Sequence, residues 1–277
     1  RKKKIVNNKN VKSIKCDITD IDNLNLVKGN YDSVIHLAFI NGTKFFYEKP
    51  DEVIRVGLKG TFNILEFSKK NNIKNFYLAS SSEVYQTPNK IPTDEKELLK
   101  VPDPYNPRYS YGASKMMTEI MSIHIGKKFF KKLIIFRPHN VYGPNMGNEH
   151  VIPEIINKIK YAIKKKNKFI KIQGSGRETR SFNYIDDFSS GLKLLINKKL
   201  KFGTFNIGSE DEIKIINLVK MIMKIMNVNL EIKNETLTIG STNRRCPDIK
   251  KIKKLGYKQT YTLEHGLAKT INWYLKN

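Results

Sequence analysis

Apolar positions fall along this chain in two textures. Short apolar runs bounded by polar or turn residues occur at Ser13–Cys16, Ser33–Leu37, Asn75–Ala79 and Leu133–Phe136. Each has the length of a strand. Val34-Ile35 and Ile134-Ile135-Phe136 are the continuous runs that a parallel sheet covered on both faces requires. Between the runs lie amphipathic stretches near Pro50–Asn71 and Pro107–Gly126. In the first, Val53, Leu58 and Leu65 recur at roughly helical spacing. Pro50 stands near its start, where a missing N–H costs nothing. The alternation predicts α/β architecture with a doubly wound parallel sheet.

After about Arg137 the loops lengthen. Short elements are expected at Phe169–Gln173, Ser181–Ile185 and Phe205–Ile207, and helices near Asp187–Asn197, Ile213–Met226 and Leu263–Leu275. This predicts a sheet domain over residues 1–140 and a smaller α/β substrate lobe over 141–277, with a segment near 181–207 returning to the sheet. Ligands of open α/β sheets bind at the carboxyl ends of strands, so chemistry is expected just after them.

Composition narrows the class. Hydrophobic residues make up 39% of the 277, enough for a packed core, and no apolar stretch approaches the ~18–20 residues of a membrane span. The basic start, Arg1-Lys2-Lys3-Lys4, runs into Ile5-Val6-Asn7-Asn8, too polar for a signal sequence. Cys16 and Cys246 lack metal-ligand spacing and are too few for a disulfide framework, so both are expected reduced, in a cytoplasmic protein. The histidines do not cluster with cysteines or carboxylates, and no metal is expected. The formal charge is +25, but lysine is spread over the whole chain without an aromatic-interleaved basic block. A bias toward Lys, Asn and Ile accounts for it better than specific nucleic-acid binding. The field still favours an anionic substrate.

The strongest chemical signal is Tyr111-Gly112-Ala113-Ser114-Lys115. On a helix, Tyr111 and Lys115 share one face, one turn apart. An ammonium ~4 Å from the phenolate contributes up to ~4 kcal/mol at an effective dielectric of ~20, which would lower a phenol from ~10 toward ~7. That is the range a general base needs. About 30 residues upstream, Ser80-Ser81-Ser82-Glu83 follows the apolar run ending at Ala79. A hydroxyl there can share a proton with Tyr111.

With Cys16-Asp17-Ile18-Thr19-Asp20, Val34-Ile35-His36-Leu37-Ala38 and Gly60-Thr61-Phe62-Asn63 before them, these segments form a series. It continues through Arg137-Pro138-His139-Asn140-Val141-Tyr142-Gly143-Pro144, Gly174-Ser175-Gly176, Thr179-Arg180-Ser181-Phe182 and Arg245-Cys246-Pro247-Asp248-Ile249. In this order they resemble extended short-chain dehydrogenases/reductases of the NAD-dependent epimerase/dehydratase group. The resemblance implies a Rossmann-like sheet and NAD as cofactor. Asp17 and Ile18 would flank its adenine, Leu37, Ala38 and Ser80 would lie along it, and Pro138 and His139 would border the nicotinamide. Lys115 would hold the ribose beside Tyr111. Ser82, Asn140, Arg180 and Arg245 would contact a nucleotide-sugar substrate. Arginine suits phosphate independently of any resemblance, because its planar fork binds oxyanions bidentately.

The implied reaction has Tyr111 take a proton from a sugar hydroxyl while hydride passes to NAD, with Ser81 bonded to the same oxygen. The outcome is left among three branches. Ser82 stands where dehydratases tend to show Asp, which weighs against water elimination. Glu83 and the Arg245–Ile249 segment resemble UDP-glucuronate decarboxylases. The segment Arg137–Pro144 resembles the epimerases. A UDP-hexose 4-epimerase is the leading expectation, with Glu83 as an auxiliary catalytic group. The rivals outside catalysis are a fragment that only binds a nucleotide or a partner chain, and charge-driven, nonspecific nucleic-acid binding. The resemblance also implies a homodimer through the helices near 50–71 and 107–126, with Met116, Met117 and Met121 either in that contact or in the core.

Two departures from the pattern stand out. Gly57 replaces the asparagine of Asn-x-x-Gly-Thr. The glycine-rich phosphate loop does not occur in these 277 residues. By the ~30-residue unit that carries such a loop, about 40 residues are expected ahead of Arg1. The Ser13–Cys16 strand is then expected to be orphaned, Ser33–Leu37 to form an apolar sheet edge, and NAD to bind weakly to these residues alone.

Overall fold

The computed structural model describes residues 10–236, 240 and 242–277. Its elements, in chain order, are α1 Ile21–Asn25, β1 Ser33–His36, α2 Thr43–Glu48, α3 Pro50–Lys70, β2 Asn75–Ala79 and α4 Ser110–Met121. There follow β3 Lys132–Pro138, β4 Val141–Tyr142, α5 Val151–Lys165, β5 Phe169–Gln173, β6 Thr179–Ser181, β7 Asn183–Tyr184, α6 Ile185–Asn197 and β8 Phe202–Ile207. The chain ends with β9 Glu212–Lys214, α7 Ile215–Ile225, β10 Glu231–Glu235, β11 Arg244–Arg245, α8 Lys250–Lys253 and α9 Leu263–Lys276.

The central sheet is parallel, in the order β1-β2-β3-β8. Phe76, Leu78, Leu133 and Ile135 point to one face and pack with Leu65 of α3. Tyr77, Ile134 and Phe136 point to the other and pack with Leu195 and Ile207. The continuous run Ile134-Ile135-Phe136 is thus a strand buried on both faces, whereas Val34-Ile35 is not. Among the described residues β1 is the edge, and Ile35 and Leu37 are 43% and 58% exposed there.

Residues 13–16, expected to be an orphaned strand, run without strand pairing. An apolar alternation becomes a strand only where a neighbour takes its N–H and C=O groups, and none of the described strands does. The stretch expected to be loop after Arg137 contains a 15-residue helix, α5, with Ile152, Ile155, Ile156 and Ile159 buried at helical spacing. These isoleucines join a second core with Leu218, Val219 and Ile222 of α7 and Leu267 and Ile271 of α9.

The helix carrying Tyr111 starts from a 3-10 turn, Pro107–Tyr109, capped by Asn106, and ends in a π turn, Ser122–Gly126. Gly112 allows its first turn to press against the loop after β2. A Cβ there would lie 2.8 Å from the Glu83 carbonyl oxygen and closer still to the Gln86 side-chain amide. The spacing between Tyr111 and Ser81 depends on that close approach.

Candidate active site

The loop leaving β2 carries the serine run. Ser80 donates its backbone N–H to the Phe136 carbonyl of β3 at 2.8 Å, which aligns the loop with the neighbouring strand end. Its buried Oγ is left without a partner. Ser81 caps the 3-10 turn Ser82–Val84, accepting from the Glu83 N–H at 3.1 Å, and its hydroxyl stands close enough to the Tyr111 phenol to draw its ionisation down. Ser82 is buried.

Tyr111 and Lys115 are 6% and 3% exposed. The Lys115 ammonium donates to the Ala79 carbonyl at 2.7 Å and sits 5.8 Å from the Tyr111 ring centroid. The expected lowering of the phenol does not occur in this state. Burial pushes Tyr111 well above the ordinary tyrosine range, the Ser81 hydroxyl offsets only part of this, and the charge of Glu83 adds to the rise. Lys115 is itself lowered by burial to about 7, against the pull of Glu119. Desolvation is the largest influence on both groups.

Phe46 of α2 stacks on the Tyr111 ring at 4.7 Å and 13°, and Phe39 meets it edge-on at 5.3 Å. The sequence reading missed both rings. The aromatic run Phe45-Phe46-Tyr47 was the available signal. Gly57 faces Phe39, so the ring lies where a side chain at position 57 would begin.

Beyond Glu83 opens a cavity of about 570 Å³, lined among others by Arg108, Asn140, Arg180, Arg245, Lys44 and Tyr47. Of the expected substrate residues it gathers Asn140, Arg180 and Arg245. Ser82 is not among its lining residues, because the 3-10 turn buries it. Arg108 was not anticipated, although it too is an arginine in a lysine-dominated chain. Arg245 grips the Glu83 carboxylate at 2.6 and 3.3 Å and reaches the Thr242 hydroxyl at 3.0 Å. Burial alone would raise the Glu83 carboxyl. The charge and hydrogen bonds of Arg245, with Arg108 and Arg180 nearby, overcome that and hold it below the usual range. Arg180 is lowered to about 10, by burial first and then by Arg245. Its guanidinium is held by the Thr179 and Thr242 carbonyls at 2.8 and 2.6 Å. Asn140, in left-handed backbone at φ 39°, donates to the Ser181 carbonyl at 2.8 Å.

The expected cofactor residues occupy one end of the sheet. Leu37 and Ala38 follow β1 and are exposed. Asp17 is exposed, with its carboxylate accepting from the Thr19 N–H and hydroxyl at 2.9 Å each. The Ile18 carbonyl accepts from Asn63 at 3.0 Å. Pro138 ends β3. His139 is buried and lowered to about 3, chiefly by burial, and its Nδ1 has no partner. The orphaned Ser80 Oγ and His139 Nδ1, just after β2 and β3, suit the nicotinamide half of a dinucleotide. No described residue supplies a glycine-rich cradle for its pyrophosphate. Among the described residues no helix is long and apolar enough to cross a membrane, and no group of three or more metal-ligating side chains gathers.

A serine and a Tyr-Lys pair stand at the strand ends of a parallel α/β sheet, and the arginine-lined cavity opens beyond Glu83 without reaching them. Together with the match to a family model, they make this an NAD-dependent enzyme. The chain belongs to the NAD dependent epimerase/dehydratase family, whose profile matches residues 1–208. It is 31% identical to an uncharacterised protein of Methanocaldococcus jannaschii over 98% of this chain and 81% of that one. It is also 31% identical to a UDP-glucuronate 4-epimerase of Thermodesulfobacterium geofontis, over 97% of this chain and 80% of the other. Several longer relatives are matched over 40% of their length. In fold it resembles the Thermus thermophilus UDP-glucose 4-epimerase solved with NAD, with a TM-score of 0.84, 19% identity and coverage of 97% of this chain and 86% of that one.

Proposed function

We propose that this chain is a nucleotide-sugar 4-epimerase acting on a UDP-hexose through a transient 4-keto sugar. The observation that carries the reading is the placing of Ser81 beside Tyr111, with a cavity beyond Glu83 whose cations, Arg108, Arg180 and Arg245, suit a diphosphate. Bound NAD would supply a reversible hydride acceptor for the sugar carbon. Lys115, Ser80, Pro138 and His139 would hold its nicotinamide end, Leu37 and Ala38 its length, and Asp17 and Ile18 its adenine. Residues 1–140 would then carry the cofactor and 141–277 mainly the nucleotide sugar. Tyr111 takes the proton of the sugar hydroxyl, Ser81 orients that oxygen, and Arg180 and Arg245 anchor the phosphates. The position after Ser81, where an acid for water elimination would stand, holds the buried Ser82. Two free cysteines, one of them buried, accord with a reducing, cytoplasmic setting.

A second reading, decarboxylation of UDP-glucuronate, draws on the paired Glu83 and Arg245. Product NMR separates the two. With a glycine-rich phosphate loop restored and NAD at saturating concentration, UDP-glucose and UDP-galactose are expected to interconvert without net redox change. Carbon dioxide release from UDP-glucuronate would overturn the epimerase assignment.

The same proposal includes a homodimer. The adjoining α3 and α4 leave Ile54, Phe62, Met117 and Ile120 between 42% and 47% exposed, whereas Met121 packs into the core below. Light scattering is expected to show a dimer that Met117→Glu with Ile120→Glu converts to monomer. A monomeric unmodified chain would remove the assignment.

A further inference from the structure

Lys115 is held by more than its own helix. Its ammonium is almost fully buried and carries three N–H donors, one of which goes to the Ala79 carbonyl at 2.7 Å. A second side of the ammonium is covered by the Phe39 ring, whose centroid is 3.9 Å from Nζ. This is well inside the ~6 Å reach of a cation–π contact. The same ring meets Tyr111 edge-on at 5.3 Å and 87°. One side chain therefore touches both members of the Tyr-Lys pair.

The position of that ring is set from α3. Gly57 lies in the interior of a 21-residue helix, where glycine costs about 1 kcal/mol relative to alanine. A Cβ at Gly57 would lie 2.9 Å from Phe39 Cε2 and closer still to Cζ. The glycine is a socket, and the ring fills it.

We propose that Phe39, seated in the Gly57 socket, is a positioning residue that holds the Lys115 ammonium against the Ala79 carbonyl and beside Tyr111. It rests on the assignment of Lys115 to the reaction but not on the identity of the sugar. The socket explains the departure at position 57: its space belongs to the ring.

The test is the ionisation of Lys115, followed by 13Cε NMR in the full chain and assigned with Lys115→Met. Besides Phe39, the groups facing it are Glu119 on its own helix, Tyr111, and His36 of β1, and all stay in place in the variants. Phe39→Leu keeps the site dry but removes the ring's negative face, so Lys115 is expected to titrate lower, by about 0.5–1 pH unit. Phe39→Ala admits water and is expected to shift the titration the opposite way. Phe39→Tyr retains the ring and is expected to match the unmodified protein. Where turnover is measured, Phe39→Leu is expected to cut kcat about tenfold with KM for the nucleotide sugar within about twofold. Gly57→Ala, which displaces the ring without altering it, is expected to move Lys115 as well and serves if Phe39→Leu does not fold. Lys115 titrating unchanged in Phe39→Leu, or in Gly57→Ala, would overturn the proposal. If no UDP-hexose is turned over, the titration still decides the role of Phe39.

Discussion

Tyr111→Phe is expected to lower kcat by about 10²–10⁴-fold, the usual contribution of a positioned general acid–base. The substitution removes one oxygen. The ring keeps its stack on Phe46 and its edge contact with Phe39, so the packing around it survives. Ser81 keeps its place at the cap of the 3-10 turn. KM for the nucleotide sugar is expected to change little, because Arg180 and Arg245, the cations proposed to grip its phosphates, lie elsewhere, on β6 and β11. Burial holds the phenol protonated at neutral pH, so Tyr111 cannot act as a free phenolate waiting for substrate. On the proposed mechanism, proton transfer is then coupled to the arrival of charge beside Tyr111, and the phenol oxygen relays it. Steady-state kinetics and a melting curve on the same sample check both halves. A variant that retains activity within tenfold, with an unchanged melting temperature, would remove Tyr111 from the chemistry.

Much of the fold was legible because its periods are local. The apolar runs at Asn75–Ala79 and Leu133–Phe136 became β2 and β3, and the helical spacing from Pro50 became α3. Ser81, Tyr111 and Lys115 were legible because a strand end and one helical turn fix their mutual distance. Three features were not. The helix α5 combines buried isoleucines with many lysines and a proline at position 153 in its first turn, so polarity masked its period. The contact of Phe39 with Gly57 joins residues 18 positions apart through packing alone, and nothing in either residue's local sequence announces it. The effect of Lys115 on Tyr111 was read from spacing as a Coulomb attraction. Spacing carries no information about burial, and burial reversed the sign of the result. The expected roles of Arg180 and Arg245 rested on residue type and resemblance, and the fold does bring both to one cavity.

Glu119→Ala is expected to cost about 3–5 kcal/mol, the penalty of leaving one member of a buried ion pair uncompensated. Arg137 and Glu119 have side chains only 5% and 4% exposed and meet in two hydrogen bonds of 2.8 and 2.6 Å. The pair ties α4, which carries Tyr111, to β3. It also anchors a longer chain: Arg137 donates to the Tyr85 hydroxyl at 2.7 Å, and Tyr85 donates to Asn206 of β8 at 2.8 Å. Burial works against the Arg137 charge, and the hydrogen bonds and charge of Glu119 overcome it, leaving the guanidinium raised. A raised cation stabilises the fold below its unfolded value and loses that only as pH climbs through the folded one. For arginine this lies beyond the accessible range, so its share of the cost is nearly constant from pH 6 to 9. Lys115, lowered to about 7 against the pull of Glu119, loses that support and makes the total cost larger at pH 6 than at pH 9. Urea unfolding at those two pH values measures it. Replacing both partners with apolar residues, Arg137→Met with Glu119→Leu, is expected to recover part of the loss, because the single change strands a charge and the double change removes it. A loss below about 1 kcal/mol in Glu119→Ala would mean that water reaches Arg137. The pair would then not be what fixes the Tyr111 helix to the sheet.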